Sequence, residues 1–375
     1  MQKTTDETKL LYSIALSLIP QLGPNIYKTI ISYCGTAENF FNLTRGKAAK
    51  IPGIGPKLLE IRKQKLQFLQ KAEKVLEDCL KHQINIHTYL DPNYPSRLKS
   101  YLDSPVLLFT KGNINLNPER TIGIVGTRNA SDYGKLTTRK IVESLSTFQP
   151  TVISGLAYGI DITAHRAALD FGLPTISVLG NSLESIYPAS HKSTALNMME
   201  NGGLVSEYKV GTTLNANNFP ARNRIIAALS DALIVVEAAK RGGALITAEI
   251  AYSYNREVFA VPGNLQNTYS EGCNNLIRSM KASIYTGPKD IQEALSWDKE
   301  NKNPSYQKNK PKLELEQFSP TEQIIIKLLL EEKTLEIDQL SWQSQIPVSQ
   351  LASLLLNLEF QGLVKSFPGK KYGLC

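Results

Sequence analysis

The sequence predicts an α/β protein. Its core is an extended Rossmann-like parallel sheet, preceded by an N-terminal helical (helix-hairpin-helix/SAM-like) domain and followed by a C-terminal winged-helix domain. Three observations support this prediction. From Thr121 onward, short apolar runs alternate with helical stretches, which is typical of a parallel sheet covered by helices on both faces. Before them, apolar residues recur at helical spacing. After a polar stretch near residue 300, the pattern indicates three helices and a hairpin.

The composition is that of a folded protein without a membrane span. The 375 residues, of which 42% are hydrophobic, suffice for two or three domains. No run approaches the roughly 18–20 apolar residues of a transmembrane helix, so we expect a cytoplasmic protein that binds no membrane. The four cysteines are far apart, and the four histidines form no ligand motif. We therefore expect no disulfide framework, no metal and no cofactor.

The positive charge is concentrated at the N-terminal end. Net charge is +8 overall, and residues 1–90 alone carry +6, whereas residues 91–300 carry only +1. An anion site in the middle of the chain must therefore come from local placement of basic groups rather than from general basicity.

Residues 1–88 are predicted to form the N-terminal helical domain. Apolar residues recur at three- and four-residue spacing from Thr8 to about His82. Toward the end of this region the apolar residues at helical spacing include Leu66, Leu69, Ala72 and Leu76.

A tight turn interrupts these helices at Ile51-Pro-Gly-Ile-Gly55. Gly53 and Gly55 relieve the steric limit on the turn and leave backbone amides facing outward, and Lys57 follows. The turn resembles the hairpin of a helix-hairpin-helix unit, which holds a nucleic-acid phosphate on such amides. A turn that only packs two helices together explains the same residues, so both interpretations stay open.

Residues 89–297 are predicted to form the extended Rossmann-like domain. An extended segment with proline and aspartate punctuation leads into it. Seven apolar runs then have the length and composition of buried strands: TIGIVG, TVISG, TISVLG, GLVSE, ALIVVE, EVFAVPG and SIYTG.

A linker and a small C-terminal domain complete the chain. Residues 298–316 are polar, rich in Lys, Asn and Pro, and without periodicity, which is typical of a linker. Residues 317–375 have the order of a winged helix, and Ser319 before Pro320 is the expected cap of its first helix. Residues 311–375 carry a net charge of −2, which argues against DNA binding by this domain, whereas Lys370 and Lys371 are the residues of a possible basic wing, so a DNA partner and a protein partner both stay open.

Glycines, small hydroxyls and amides follow one predicted strand after another. In a doubly wound sheet, ligands bind beyond the carboxyl ends of the strands, where glycine permits close approach and helix N-termini supply free amides. Ordinary strand–helix turns favour the same residues, but five such loops on one edge indicate a phosphate site. Neither GxGxxG nor GxxxxGK[ST] is present, so nothing indicates NAD or a P-loop nucleotide.

The segment from Phe219 to Arg224 places charge at the start of a helix that runs into a buried strand. Asn217 and Asn218 are expected caps, and Arg222 and Asn223 would converge on one phosphate in the first turn. Phe219, expected just before the helix, is either a hydrophobic staple or a stacking face for a base.

Two ionisable residues near the second strand have a structural and a chemical interpretation. Asp161 is either the cap of the following helix or an acid–base partner of Glu237, and capping is favoured. His165 is more typical of a hydrogen-bonded packing histidine than of a functional one. No Ser/His/Asp or Cys/His set is evident, so no catalytic residue is assigned.

A series of segments in order across about residues 121–285 resembles the core of the DNA-processing protein A family (DprA/Smf). These segments are GIVGTR, SGLAYGIDITAHRAAL, TISVLGNSLESIYP, GLVSE, FPARNRIIAALSDALIVVEA, GGALITAEIA, VFAVPGN and EGCNNLIRSMKA. The layout of helical domain, Rossmann fold and winged helix is similar too.

The resemblance implies a non-enzymatic single-stranded-DNA-binding protein of bacterial natural transformation and homologous recombination. Such a protein protects incoming DNA, loads the RecA recombinase onto it and forms a homodimer through the Rossmann domain. The resemblance also implies a phosphate pocket, with Phe219 stacking on a base. The implied pocket residues are Gly126, Thr127, Arg128, Ser154, Gly155, Lys192, Arg222, Asn223, Arg224 and Gly243.

The sequence departs from the family pattern at several positions. Thr127 stands in place of the usual serine and keeps the hydroxyl, and Gly242 replaces a common serine. Ala189 and Ser190 occupy positions where members often have a lysine, which moves that expected DNA contact to Lys192.

An enzyme is the alternative. The core has a more distant resemblance to Rossmann-like nucleotide phosphoribohydrolases, which release a base from a nucleotide. In such an enzyme Glu237 or Glu249 would be the key glutamate. The glycine-rich run from Arg241 to Glu249 departs from the spacing of that family's motif.

Overall fold

The computed structural model describes residues 5–297, 318–332, 334–361, 363–367 and 371–374. The chain divides into two units, Met1–Glu300 and Asn301–Cys375. The predicted linker, residues 298–316, lies outside the described residues.

The predicted helical periodicity of the N-terminal region is confirmed. Residues 5–82 form six helices: α1 (Thr5–Ser17), α2 (Pro24–Cys34), α3 (Ala37–Asn42), α4 (Arg45–Ala48), α5 (Pro56–Arg62) and α6 (Lys65–Lys81). The inner face of α6 is Phe68, Ala72, Val75 and Cys79. Leu66, one of the apolar residues at helical spacing, is 73% exposed and lies off that face.

The glycine turn lies between α4 and α5. Gly53 has a φ of +84°, which favours glycine, and Gly55 precedes Pro56 at the start of α5. Ile51 and Ile54 are buried against the helices, whereas Lys57 is exposed. A DNA contact at Gly53, Gly55 and Lys57 stays a prediction.

The segment that leads into the core contributes two strands and a short helix. They are β1 (Asn85–Thr88), α7 (Ser96–Lys99) and β2 (Leu107–Lys111). The strand β1 pairs antiparallel with β2, in the register Asn85 opposite Thr110. The N-terminal helices therefore continue directly into the edge of the large sheet, within one unit.

All seven strands predicted for the Rossmann-like core form. They are β3 (Thr121–Val125), β4 (Thr151–Ser154), β5 (Thr175–Val178), β6 (Gly202–Ser206), β7 (Ala232–Val235), β8 (Glu257–Ala260) and β9 (Ser283–Ile284). The helices between and after them are α8 (Asp132–Leu145), α9 (Ile160–Asp170), α10 (Lys192–Met198), α11 (Asn218–Leu229), α12 (Gly243–Ser253), α13 (Glu271–Arg278) and α14 (Pro288–Leu295).

Within residues 5–297 these seven strands and the two earlier strands, β1 and β2, form one nine-stranded sheet. Its order is β1-β2-β6-β5-β4-β3-β7-β8-β9. The seven strands β3 to β9 are all parallel to one another. The strand β2 pairs antiparallel with β6. From β3 the chain first builds the sheet outward through β4, β5 and β6, and then returns to place β7 on the other side of β3. The order thus reverses between β3 and β7.

The sheet buries both of its faces. Side chains alternate along each strand, so Ile122 and Ile124 of β3 pack on one face with Ile141 of α8. On the opposite face Val125 packs with Ile225 of α11. Near-continuous apolar strands are what a sheet with helices on both sides requires, and the predicted Rossmann-like core is confirmed.

The C-terminal unit is a winged helix, as expected. Its elements are α15 (Pro320–Glu332), β10 (Thr334–Glu336), α16 (Ile337–Ser344), α17 (Val348–Phe360), β11 (Val364–Phe367) and β12 (Lys371–Leu374). In the described part of this unit the three strands pair in the order β10-β12-β11. Ser319 caps α15 reciprocally: its hydroxyl accepts from the Glu322 N–H, and its own N–H donates to the Glu322 carboxylate.

Two features are absent from the described residues. No helix there has the length and hydropathy needed to cross a bilayer. The same residues contain no group of three or more His, Cys, Asp or Glu side chains arranged to hold a metal ion.

Candidate nucleic-acid interface

The strand-order reversal between β3 and β7 opens a cavity at the carboxyl ends of the two strands. Loops that leave neighbouring strands in opposite directions leave a crevice between them, and this is where ligands bind in open α/β sheets. We call it the switch-point cavity; its volume is about 330 Å³. The loop after β3, the first turns of α11 and the loop after β7 form its walls.

The loop after β3 supplies the predicted glycine, hydroxyl and arginine. A Cβ on Gly126 would lie 2.4 Å from the Ile160 side chain, so only glycine fits where α9 approaches β3. The Thr127 N–H donates to the Glu237 carbonyl over 2.7 Å, which ties this loop to the end of β7. Arg128 is exposed at the cavity and has no carboxylate partner among the described residues.

Arg222 lies in the wall formed by α11 and is only 4% exposed. Its guanidinium donates to the carbonyls of Gly155 and Val178, at the ends of β4 and β5, and to the Asn223 side chain. Burial lowers the pKa of Arg222 to about 10, and the nearby Asp161 carboxylate opposes this. The side chain therefore stays charged at neutral pH and braces the strand-end loops under the cavity.

The loop after β7 ends at the N-terminus of α12. The helix begins at Gly243, and no side chain caps it, so its first amides are available to a ligand. The Asn223 amide donates to the Gly243 carbonyl over 3.2 Å and links α11 to α12. The cavity is thus lined by backbone N–H groups and by the unpaired Arg128, which together suit an anion.

Phe219 lies inside the first turn of α11, because the helix begins at Asn218. It is therefore not the residue that precedes the N-cap, and the staple interpretation is wrong. Asn217 occupies the N-cap position, but its side chain makes no capping hydrogen bond. The half-buried Phe219 ring packs 5.6 Å from the Tyr187 ring and lines the cavity; stacking on a base stays a prediction.

The structure brings most of the predicted pocket residues together. Those that line the switch-point cavity are Gly126, Thr127, Arg128, Phe219, Arg222, Asn223 and Gly243. Gly155 lies directly beneath it, where a Cβ would come within 2.6 Å of the Arg222 guanidinium. Ser154 is fully buried and donates to the Ile124 carbonyl over 2.6 Å.

Two predicted cations do not line the cavity. Arg224 is half-buried and forms an ion pair with Glu207, which follows β6. Lys192 is exposed at the start of α10. Their part in DNA binding stays a prediction.

The family of the chain is shown by its sequence relatives. The profile of the DNA recombination-mediator protein A family matches residues 85–296, more than half of the chain. The chain belongs to the DprA/Smf family. The DprA winged-helix profile matches residues 309–370, which agrees with the fold of the C-terminal unit.

Similar proteins cover between 57% and 96% of the chain. Protein Smf of Synechocystis is 32% identical over 96% of this chain and 98% of its own length. The X-ray structure of DprA from Streptococcus pneumoniae matches with a TM-score of 0.63 at 32% identity, covering 78% of this chain and 98% of that one. DprA from Helicobacter pylori, whose structure is described for its unique single-stranded DNA binding mode, matches with a TM-score of 0.52 at 28% identity, covering 57% of this chain and 96% of that one.

Some residues of this DprA/Smf cavity were not predicted. Asn129 and Tyr269 line it from the loops after β3 and β8, and the Asn129 amide donates to the Tyr269 hydroxyl over 3.3 Å. Arg241 lines it from the loop after β7. The rule that ligands bind at strand ends applies equally to these loops, and it would have found all three residues.

The carboxylates considered for chemistry have structural partners in this DprA/Smf core. Glu237 is buried and accepts from the N–H and hydroxyl of Ser131, which caps α8. Asp161 is the second residue of α9 rather than its cap, and it accepts from the backbone N–H groups of Gly155 and Ala157. Burial raises the pKa of Asp161, and Arg222 opposes that rise. Glu249 is paired with Lys281.

His165 packs between α9 and the sheet, in agreement with the favoured interpretation. It is fully buried, and its Nδ1 lies 2.7 Å from the Thr175 hydroxyl. Burial lowers its pKa to about 3, with Arg222 and His191 adding to the effect. The residue is therefore neutral at physiological pH.

Proposed function

We propose that this chain binds single-stranded DNA at the switch-point cavity, protects incoming DNA and loads the RecA recombinase onto it during natural transformation and homologous recombination. The observation that carries the proposal is Arg128, an exposed and unpaired arginine beside the uncapped first amides of α12. A guanidinium and backbone N–H groups together are a strong phosphate site. The single-stranded DNA binding described for the Helicobacter pylori relative supports the same choice of ligand.

The cavity favours an unpaired strand over a duplex. Phe219 presents part of its ring next to the phosphate-binding groups. Base–aromatic stacking needs a base that is free of its own stack, which a single strand offers at every position. Contacts to phosphates carry no sequence information, so we expect binding that is largely independent of sequence.

The function that we propose is binding without catalysis. Glu237 and Glu249, the carboxylates that a phosphoribohydrolase would use, are bonded to Ser131 and Lys281. These bonds support a binding protein over the enzyme alternative.

We propose two protein partners, RecA and a second copy of this chain. The proposal for RecA rests on membership of the family. The homodimer would form through the Rossmann-like unit, at the β9 edge of the sheet. This edge is a two-residue strand, and beside it Met280 is 86% exposed and Ile284 47% exposed. An open sheet edge with exposed apolar side chains favours association.

The variant Arg128→Ala tests the DNA site. We expect a loss of about 1–3 kcal/mol in the free energy of binding to an oligo-dT strand, the scale of a charge-assisted phosphate contact. The slope of log affinity against log salt should fall by about 0.7, the value for one phosphate on a single strand. Gel shift or fluorescence anisotropy across a salt series measures both.

The control for this variant is Lys74→Ala, which removes an exposed cation of α6, outside the cavity and on the side of the sheet opposite the β9 edge. It should bind like the wild type. If Arg128→Ala also binds like the wild type, or if the wild type prefers duplex DNA, the proposed function is wrong.

A further inference from the structure

A second cavity adjoins the first. It has a volume of about 720 Å³, and we call it the outer cavity. Arg128, Phe219, Arg241, Gly242 and Gly243 line both cavities. The two are therefore parts of one groove, with Phe219 and the loop after β7 at the point where they meet.

The outer cavity is positively charged. Lys240 and Arg241 are exposed on its rim, and neither has a carboxylate partner among the described residues. The acidic residue in its lining is Glu249, whose carboxylate is already bonded to Lys281 at 2.7 and 2.8 Å. Elsewhere in the same unit Arg97, Arg139 and Arg224 are each paired with a carboxylate. Lys240 and Arg241 are therefore free to bind an anion in the groove.

Each cavity also has an aromatic side chain of its own. Tyr187 lines the outer cavity, is 48% exposed and has its ring 5.6 Å from Phe219 at an angle of 45°. Tyr269 lines the switch-point cavity, where Asn129 holds its hydroxyl. Aromatic faces alternating with cations are the pattern that a single strand needs, because its bases stack while its phosphates are neutralised.

We propose that a single nucleic-acid strand passes through both cavities and contacts the protein over at least two nucleotides. A base stacks against Tyr269 and Phe219 in the switch-point cavity, and the next stacks against Tyr187 in the outer cavity. Lys240 and Arg241 bind the phosphate of the outer nucleotide. This inference rests on the proposed function, since it extends the same site by a second nucleotide.

The double variant Lys240→Ala/Arg241→Ala in the full chain tests the phosphate contacts. We expect its affinity for an oligo-dT strand to fall at least about tenfold at low salt, and its salt slope to fall by about 0.7 for each phosphate that is no longer neutralised. The control, Lys74→Ala/Lys81→Ala, removes two positive charges at exposed positions of α6 outside the groove and should bind like the wild type.

Tyr187→Ala and Tyr187→Phe test stacking in the outer cavity. The alanine variant should bind about 5- to 150-fold more weakly, whereas the phenylalanine variant should bind like the wild type because it keeps the ring. Photocrosslinking of a 5-bromodeoxyuridine oligonucleotide to wild-type protein, with the peptide identified by mass spectrometry, gives a test that needs no variant. The crosslinks should map both to the peptide that contains Tyr187 and to the peptide that contains Tyr269.

The outcomes separate this inference from the proposed function. If Arg128→Ala weakens binding but the Lys240/Arg241 variant matches its control and no crosslink reaches Tyr187, the strand does not enter the outer cavity and the inference is wrong. If the wild type binds no single-stranded DNA, the proposed function itself is wrong.

Discussion

Arg222 and Arg224 illustrate how two neighbouring charges take different roles. Residues two apart on a helix point to nearly opposite sides, so both cannot face the same cavity. Arg222 lies under the switch-point cavity and binds the carbonyls of Gly155 and Val178. Arg224 pairs with Glu207 instead. The charge of Arg222 thus stabilises the strand-end loops, and of these two arginines Arg222 is the one that lies next to the ligand site.

His165 makes stability depend on pH. Its pKa is about 3 in the folded protein, whereas an unfolded histidine has a pKa near 6.5. Between these values the unfolded chain binds a proton that the folded chain does not, so stability falls as pH falls from 6.5 toward 3. The slope from this one residue reaches at most about 1.4 kcal/mol per pH unit.

The variant His165→Gln removes the titrating group and keeps a polar side chain next to Thr175. We expect the free energy of unfolding to fall less between pH 7 and pH 5 in the variant than in the wild type. Urea unfolding followed by circular dichroism at several pH values measures this difference. Parallel pH curves for the two proteins would contradict the assignment of acid sensitivity to His165.

Among the elements, α6 shows the limit of periodicity. Leu66, Leu69, Ala72 and Leu76 fit helical spacing, and so do the residues buried on α6, namely Phe68, Ala72, Val75 and Cys79. Both stripes share Ala72, because apolar residues cover a wide arc of this helix. The position of α1, which packs against α6, decides which part of the arc is buried.

The start of α8 shows a glycine required by a distant element. A Cβ on Gly134 would lie 2.1 Å from the Glu237 carboxylate, which caps the helix through Ser131. Glycine-to-alanine changes within helices usually stabilise by about 0.5–1 kcal/mol. We expect Gly134→Ala to destabilise instead, by about 1–3 kcal/mol, because the clash displaces Glu237.

Gly46→Ala is the matched control for this change. Gly46 lies in α4, and a Cβ there meets nothing within 4 Å. This variant should be as stable as the wild type or slightly more so. Urea midpoints of the two variants measure the contrast; equal shifts would show that Glu237 does not constrain α8.

In the molecule as a whole, the two units have separate hydrophobic cores. The winged helix packs around Ile325, Leu329, Leu340, Leu351 and Leu355, all within its own unit. Its helix α17 carries no lysine or arginine. Residues 311–375, which contain this domain, carry a net charge of −2. With such a helix, the domain is a weak candidate for holding phosphates.

We therefore expect residues 1–300 alone to bind single-stranded DNA within about twofold of the full chain, a difference below about 0.5 kcal/mol. The truncated protein should also keep the proposed dimer, since the β9 edge lies in the same unit. Anisotropy titration and light scattering measure affinity and mass. Loss of DNA binding on truncation would assign that binding to the winged helix.

Local patterns in the sequence were enough to predict the architecture and much of the site. Apolar runs and helical spacing are local properties, so the seven core strands, the helical N-terminal region and the winged helix were predictable from them. The glycine, hydroxyl and amide residues that follow each strand indicated an anion site at the carboxyl edge. The order of family motifs indicated DprA/Smf.

Which of these residues meet depends on the folded chain. The order of the strands places β7 beside β3, and this brings Thr127 and Glu237 into contact although 110 residues separate them. It also brings Tyr269 to Asn129, and it leaves Lys192 outside the cavity. Strand order depends on long-range packing and hydrogen bonding between distant segments, for which local periodicity carries no signal. The outer cavity, with Tyr187 and Lys240 at its rim, exists for the same reason.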